Sequence, residues 1–166
     1  MNYKMMGKFI SQILFVEAAF MLPALLISVL ERNIPGIWGF ALSIVITAAV
    51  ASVLYVLCRH AVRRFYAREG LVCVGMSWIF MSLLGCLPFF MSGEIPNFLD
   101  ALFEIVSGFT TTGASVLSNV EGLSKGILYW RSFSHWLGGM GVLVFLLAVG
   151  ERGDKGSGFT LHLLRA

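Results

Sequence analysis

The run SGFTTTGAS, residues 107–115, gathers five hydroxyl side chains and two glycines into nine positions. β-Branched residues and glycine are poor helix formers, so an interruption of regular backbone is expected here. An extended run of small residues can aim successive carbonyls at one axis, where they replace water around a dehydrated cation. Gly113 would supply the positive φ that keeps neighbouring carbonyls on the same side. The threonine hydroxyls add oxygens without bulk. Two charged residues stand near this run in the sequence. Glu104 could raise the local cation concentration, but the favoured reading is that it receives hydrogen bonds that hold the run in place. Arg131 can snorkel outward or pair with Glu104.

The elements that must position these groups are apolar to an unusual degree. Of 166 residues, 58% are hydrophobic and 13% charged, and the mean hydropathy is +0.85. A soluble domain carries about 25% charged residues, so the chain reads as an integral membrane protein. Residues 9–30, 37–58, 70–92 and 127–150 each exceed the roughly 20 residues of helix that cross a bilayer. Between the third and fourth, Pro96 and Asn97 open a short helix over 97–108, with Asp100 in capping-box-like register and Gly108 as C-cap. At about 18 Å that helix is too short to span. It therefore enters and leaves by one face, followed by an extended strand over 110–115. The expected fold is all-α, with four transmembrane helices, one re-entrant pore helix and a filter strand.

Basic residues set the orientation. Placing Lys4, Lys8, Arg59, Arg63, Arg64, Arg68, Arg152, Lys155 and Arg165 inside leaves Arg32, Lys125 and Arg131 outside, so the N-terminus is expected in the cytoplasm. The net charge of +3 is then topological, and no nucleic-acid partner is implied. Cys58, Cys73 and Cys86 have no metal-ligand spacing and read as packing residues. Glu17, inside the first span, reads as an interfacial or helix-pairing group. His135 reads as an interhelical hydrogen-bond partner. An intramembrane enzyme could be built on His135 with Ser132, but no second acid or oxyanion motif accompanies them. Gly138, Gly139 and Gly141 are expected to bring the fourth helix close to another backbone, with a gating hinge as the sharper alternative.

Three stretches, REGLVCVGMSWIFMSLLGCLPFF, NFLDALFEIVSGFTTTGAS and ILYWRSFSHWLGGMGVLVFLLAV, resemble the Trk/Ktr-type potassium-uptake family (TrkH/KtrB). The resemblance implies four pseudo-repeats around one pore, with residues 1–58 as an extra helix pair and 59–69 as a basic cytoplasmic loop. Residues 70–150 would be the first repeat, with 151–166 starting a cytoplasmic linker. It also implies that potassium is coordinated at Thr111 and Thr112, with Gly113 and Ala114 beside them and Thr110 at the inner end. No cofactor is implied in this chain, potassium being the transported ion. The implied partners are membrane lipid, a second copy in a homodimer and a cytosolic nucleotide-binding regulatory subunit, all at the bacterial inner membrane. A single filter loop, where the family has four, reads as the first third of a longer protein. A short homotetrameric channel subunit or a non-conducting structural subunit are the alternatives.

Overall fold

A computed structural model describes residues 3–59 and 67–153, with side chains described for 3–59, 70 and 72–141. Most of the basic loop at 59–69 and nearly all of the tail at 151–166 lie outside that description. Among the described residues every regular element is helical: α1 (Tyr3–Leu30), α2 (Ile34–Leu57), α3 (Ala67–Gly85), α4 (Leu87–Met91), α5 (Phe98–Phe109) and α6 (Lys125–Gly153). Three stretches, Tyr3–Leu30, Ile34–Leu57 and Val72–Met91, are long and apolar enough to cross a membrane. With the composition, they make this an all-α integral membrane protein. The fourth expected span falls on α6, whose 29 residues suffice in length but whose second half lies outside the described side chains.

α1 and α2 form an antiparallel hairpin. The turn between them ends at Asn33, whose side-chain oxygen accepts from the Gly36 N–H at 3.3 Å, and Pro35 follows at the first turn of α2. Proline suits that position because the N–H it lacks would be unpaired there anyway. Leu26, Val45 and Val53 stay exposed on the hairpin's outer faces, whereas Leu14, Met21, Ala24 and Phe40 are buried.

The third span is not one helix. Pro88 has no N–H for the Leu84 carbonyl, and the chain breaks at Cys86. Beyond the break, the Phe89 N–H returns to the Cys86 carbonyl at 3.1 Å. The Gly85 carbonyl accepts from the fully buried Trp130 indole at 2.9 Å. That bond ties α6 to the broken span, and Phe89, Ile105, Phe109, Ile127 and Trp130 close the core around it.

α5 starts as its sequence indicates. Asn97 Oδ1 accepts from the Leu99 N–H at 3.1 Å, and Asp100 lies in the first turn. The reciprocal bond of a full capping box is absent among the described residues. Both flanks of α5 are fastened at the same end of the bundle. Glu94 accepts from Asn33 Nδ2 at 3.2 Å and from the Ser124 N–H at 2.9 Å, while Glu31 accepts from the Lys125 N–H at 3.0 Å. These two carboxylates also sit at the N-terminus of α6, where the helix dipole favours negative charge.

Candidate functional site

The site is the loop that leaves α5. Gly108, expected as the C-cap, is instead inside the helix, which runs to Phe109 with Thr110 at the cap. Thr111 N–H bonds the Gly108 carbonyl at 2.9 Å and Thr112 N–H bonds the Ser107 carbonyl at 3.0 Å. That pair of bonds is a Schellman ending, whose left-handed position usually belongs to glycine. Here it is held by Thr111, at φ 56°. A β-branched residue with positive φ is an outlier, and such strain persists only where the surroundings over-determine it. The expected strand over 110–115 therefore carries a left-handed residue at its second position, and the loop beyond it pairs with no other strand among the described residues. Gly113 does take positive φ, at 73°.

Gly108 has a different job. A Cβ there would strike the Ser134 hydroxyl of α6, and one on Gly138 would strike the Phe109 backbone. Those two glycines let α5 and α6 approach to backbone contact, as expected of Gly138 from the sequence.

Polar contacts fix the loop from behind. Glu104 is fully buried, and its Oε1 accepts from the Ser115 hydroxyl at 2.6 Å and the Val116 N–H at 2.8 Å. Its Oε2 accepts from Arg131 Nε at 2.8 Å. One carboxylate thus binds the far end of the loop to α6, the supporting arrangement favoured from the sequence. Ser107 donates to the Ala114 carbonyl at 2.6 Å, a contact that sequence reasoning missed although Ser107 opens the quoted run. Among the described residues His135 makes no hydrogen bond to another helix. Its Nδ1 lies 2.9 Å from the Arg131 carbonyl one turn back on α6, so that nitrogen carries the proton. Ser134 donates to the same carbonyl at 2.6 Å.

Accounting for the loop's own oxygens separates its carbonyls into two groups. The Thr110 carbonyl accepts from Thr111 Oγ1 at 2.7 Å, and the Ala114 carbonyl is taken by Ser107. Thr110 Oγ1 gives its proton to the Val106 carbonyl at 2.7 Å, so in its 2.8 Å contact with Thr112 Oγ1 the latter donates. No donor among the described residues reaches the carbonyls of Thr111, Thr112, Gly113 or Ser115. Residues 110–116 are all exposed. Three successive unengaged carbonyls, those of Thr111, Thr112 and Gly113, stand just past the negative end of a helix dipole, an arrangement that can ligand a cation.

Comparison with known proteins gives this geometry a context. The family model described as TrkH, cation transport protein, matches residues 38–162. This chain belongs to the TrkH family. It is 34% identical to the Trk system potassium uptake protein TrkH of Halomonas elongata over 151 residues, 90% of the chain and 31% of that protein. It is 32% identical to TrkG, a Trk system potassium uptake protein of Escherichia coli, over 78% of the chain and 27% of that protein. An uncharacterized cation transporter of Methanocaldococcus jannaschii shares 39% over 57% of the chain and 19% of its own length. The chain spans about a third of the TrkH relative's length. The TrkH family match begins within α2 and runs through α6, and so takes in the whole candidate site, while α1 lies before it.

Proposed function

We propose that residues 70–150 form one pore-lining repeat of a potassium uptake protein, with 110–115 as its selectivity filter. The observation that carries this reading is the carbonyl accounting: Thr111, Thr112 and Gly113 present successive free oxygens, while the Thr110 carbonyl is occupied by the Thr111 hydroxyl and the Ala114 carbonyl by Ser107 from behind. The names of the relatives supply the ion. Three carbonyls do not replace a potassium hydration shell, so the ring is completed by further strands of this polypeptide or a neighbouring one. Thr111, Thr112 and Gly113 act as ligands through their backbone. Thr110 and Ala114, proposed with them on resemblance, flank the ion at the loop's two ends. Glu104 and Arg131 act as supports.

In this reading α5 is re-entrant. The fastening of Glu94 and Ser124 at one end of the bundle supports it, because the segment then starts and finishes at the same membrane face. α6 is the fourth span, and residues 1–58 are an additional helix pair. The N-terminus faces the cytoplasm of a bacterial inner membrane. A cysteine at Glu121 should then react with impermeant thiol reagents from outside, and one at Arg59 only after the membrane is opened. A homodimer and a cytosolic nucleotide-binding regulatory subunit complete the proposal.

The deciding experiment is Gly113→Ala in the intact protein reconstituted in liposomes. Alanine resists the positive φ while adding only a methyl group to open space. The expected result is weakened discrimination of potassium from sodium, or lost flux, with normal membrane insertion. Unchanged selectivity would remove residues 110–115 from the filter.

A further inference from the structure

We infer that Glu17 is a proton-binding site: its side chain is held as the neutral acid between α1, the α3–α4 break and the last turn of α5. Loss of that proton unseats the end of α5.

The residue is fully buried, and neither carboxyl oxygen has a hydrogen-bond partner among the described residues. Its Oε1 lies 2.7 Å from where a Cβ on Gly85 would stand, so only a glycine admits the carboxyl at that place. Ile105 Cγ1 and Phe109 Cε2 border the same point, each 3.2 Å from it. An ionised carboxylate in such a setting is strongly unfavourable unless something neutralises it. The possible neutralisers are a basic side chain, a metal ion or a proton.

Among the described residues no basic side chain reaches either carboxyl oxygen of Glu17. α2 carries no acidic or basic residue. On α6, Arg131 is committed to Glu104, and His135 to the Arg131 carbonyl. On α1 itself, Lys8 lies over the Tyr55 ring, 6.0 Å from its centroid. Among the described side chains, the titratable groups of α3 and the break are Cys73 and Cys86, whose thiols donate to the Met6 and Leu83 carbonyls. α5 contributes Glu104, which is saturated by its three donors. A cation from elsewhere in the polypeptide cannot touch a side chain that has no surface left. No group of three His, Cys, Asp or Glu residues that could hold a metal occurs among the described residues. Ile105 and Phe109, which border the point beside Gly85, offer a buried water no polar partner. A proton remains.

The position gives the proton leverage on the pore reading, on which this second step rests. Phe109 is the last residue of α5, and Thr111 follows two residues later. For Glu17 to ionise, its carboxylate must reach water, which means parting α1 from Gly85, Ile105 and Phe109. The back wall of α5 is then lost just behind the loop. Rising pH should therefore reduce uptake, and a side chain that cannot ionise should not respond.

The test uses the intact protein in liposomes. Infrared difference spectra of wild type against Glu17→Gln should show one protonated-carboxyl carbonyl band at neutral pH that the variant loses. Should Glu17→Gln fail to accumulate in the membrane, Glu17→Met provides the reference spectrum. Loss of a carboxylate band instead, or of neither band, overturns the site. Rubidium uptake is then followed against pH in both proteins. Loss of the alkaline decline in the variant supports the link to α5, and superimposable profiles overturn it. A preparation that carries no rubidium at any pH defeats the transport reading, and the infrared comparison still decides the state of Glu17.

Discussion

Glu104 and Glu17 are both fully buried, and the regions around them handle a carboxyl group in opposite ways. Around Glu104, three donors arrive from two separate segments: a hydroxyl and a backbone N–H of the loop, and the Arg131 guanidinium of α6. Around Glu17, neither carboxyl oxygen has a hydrogen-bond partner among the described residues, and one of them lies against Gly85. The first arrangement uses a buried charge as a fastener between segments that share no regular hydrogen bonding. The second uses a neutral acid as a packed side chain. A charge inside a low-dielectric bundle is tolerated only when its partners are complete, so the two sites should respond to the same substitution with opposite signs.

The largest effect is expected at the fastener. Arg131→Met leaves Glu104 buried with its charge uncompensated, and breaking such a pair from one side costs about 3–5 kcal/mol. The double variant Glu104→Met with Arg131→Met should recover part of that loss, because no orphaned charge remains. Thermal unfolding of the detergent-solubilised intact protein measures both. A double variant no better than Arg131→Met would mean that the pair does not act as a unit.

Much of this arrangement was legible in the sequence. Glu104, Arg131 and the TTTG run stand out because charge and β-branched hydroxyls are rare in so apolar a chain. The short helix announces itself through Pro96, Asn97 and its length. What the sequence did not disclose is how the loop's oxygens are divided between support and solvent. Ser107 and Thr111 make that division, and a serine inside a helix or a middle threonine in a run of three carries no local signal of it. The break at Cys86 also escaped, because Leu87–Met91 resumes apolar helix immediately and hydropathy runs on across Pro88. Glu17 read as an interfacial or helix-pairing group from its place along α1. Its burial depends on Gly85, which lies far off in sequence.

A smaller effect tests whether the fastener depends on the close approach of α5 and α6. Gly138→Ala drives a methyl group into the Phe109 backbone, which cannot give way as a flexible side chain would. Overpacking of this kind costs about 1–3 kcal/mol. The displacement falls at the end of α5, so the expected result is lower thermal stability together with reduced flux. Gly139→Ala is the control, since its added methyl meets Thr111 Cγ2 at an ordinary 3.7 Å. Equal losses in the two variants would show that the α5–α6 contact is not what positions the loop.

At Glu17 the sign should reverse. Glu17→Met keeps the length of the side chain and removes two oxygens that have no partner. Replacing an unsatisfied polar group by an apolar one of similar shape is nearly neutral or stabilising, by about 1 kcal/mol at most. The same substitution at Glu104 leaves the donors of Ser115, Val116 and Arg131 without their acceptor. Side-by-side unfolding of the two methionine variants would therefore separate them clearly. A Glu17→Met protein as unstable as Glu104→Met would mean that the α1 carboxyl is held by a partner after all.

The smallest effect is expected at Thr111, where two contributions oppose each other. Left-handed backbone costs a side-chain-bearing residue about 1–2 kcal/mol. Thr111→Gly relieves that strain but loosens the unfolded chain by about 0.5–1 kcal/mol. It also forfeits the Thr111 hydroxyl bond to the Thr110 carbonyl, 2.7 Å long and exposed. These should nearly cancel, leaving stability within about 1 kcal/mol of wild type. Thr111→Val loses the same hydroxyl bond and keeps the strain, so it should be the less stable of the two. Both variants release the Thr110 carbonyl and thereby extend the run of free oxygens at Thr111, Thr112 and Gly113. A change in ion discrimination common to Gly and Val would then trace to that released carbonyl, and one confined to Val to backbone strain. If the glycine variant proves less stable than the valine one, Thr111 is not held in the left-handed conformation in the intact protein.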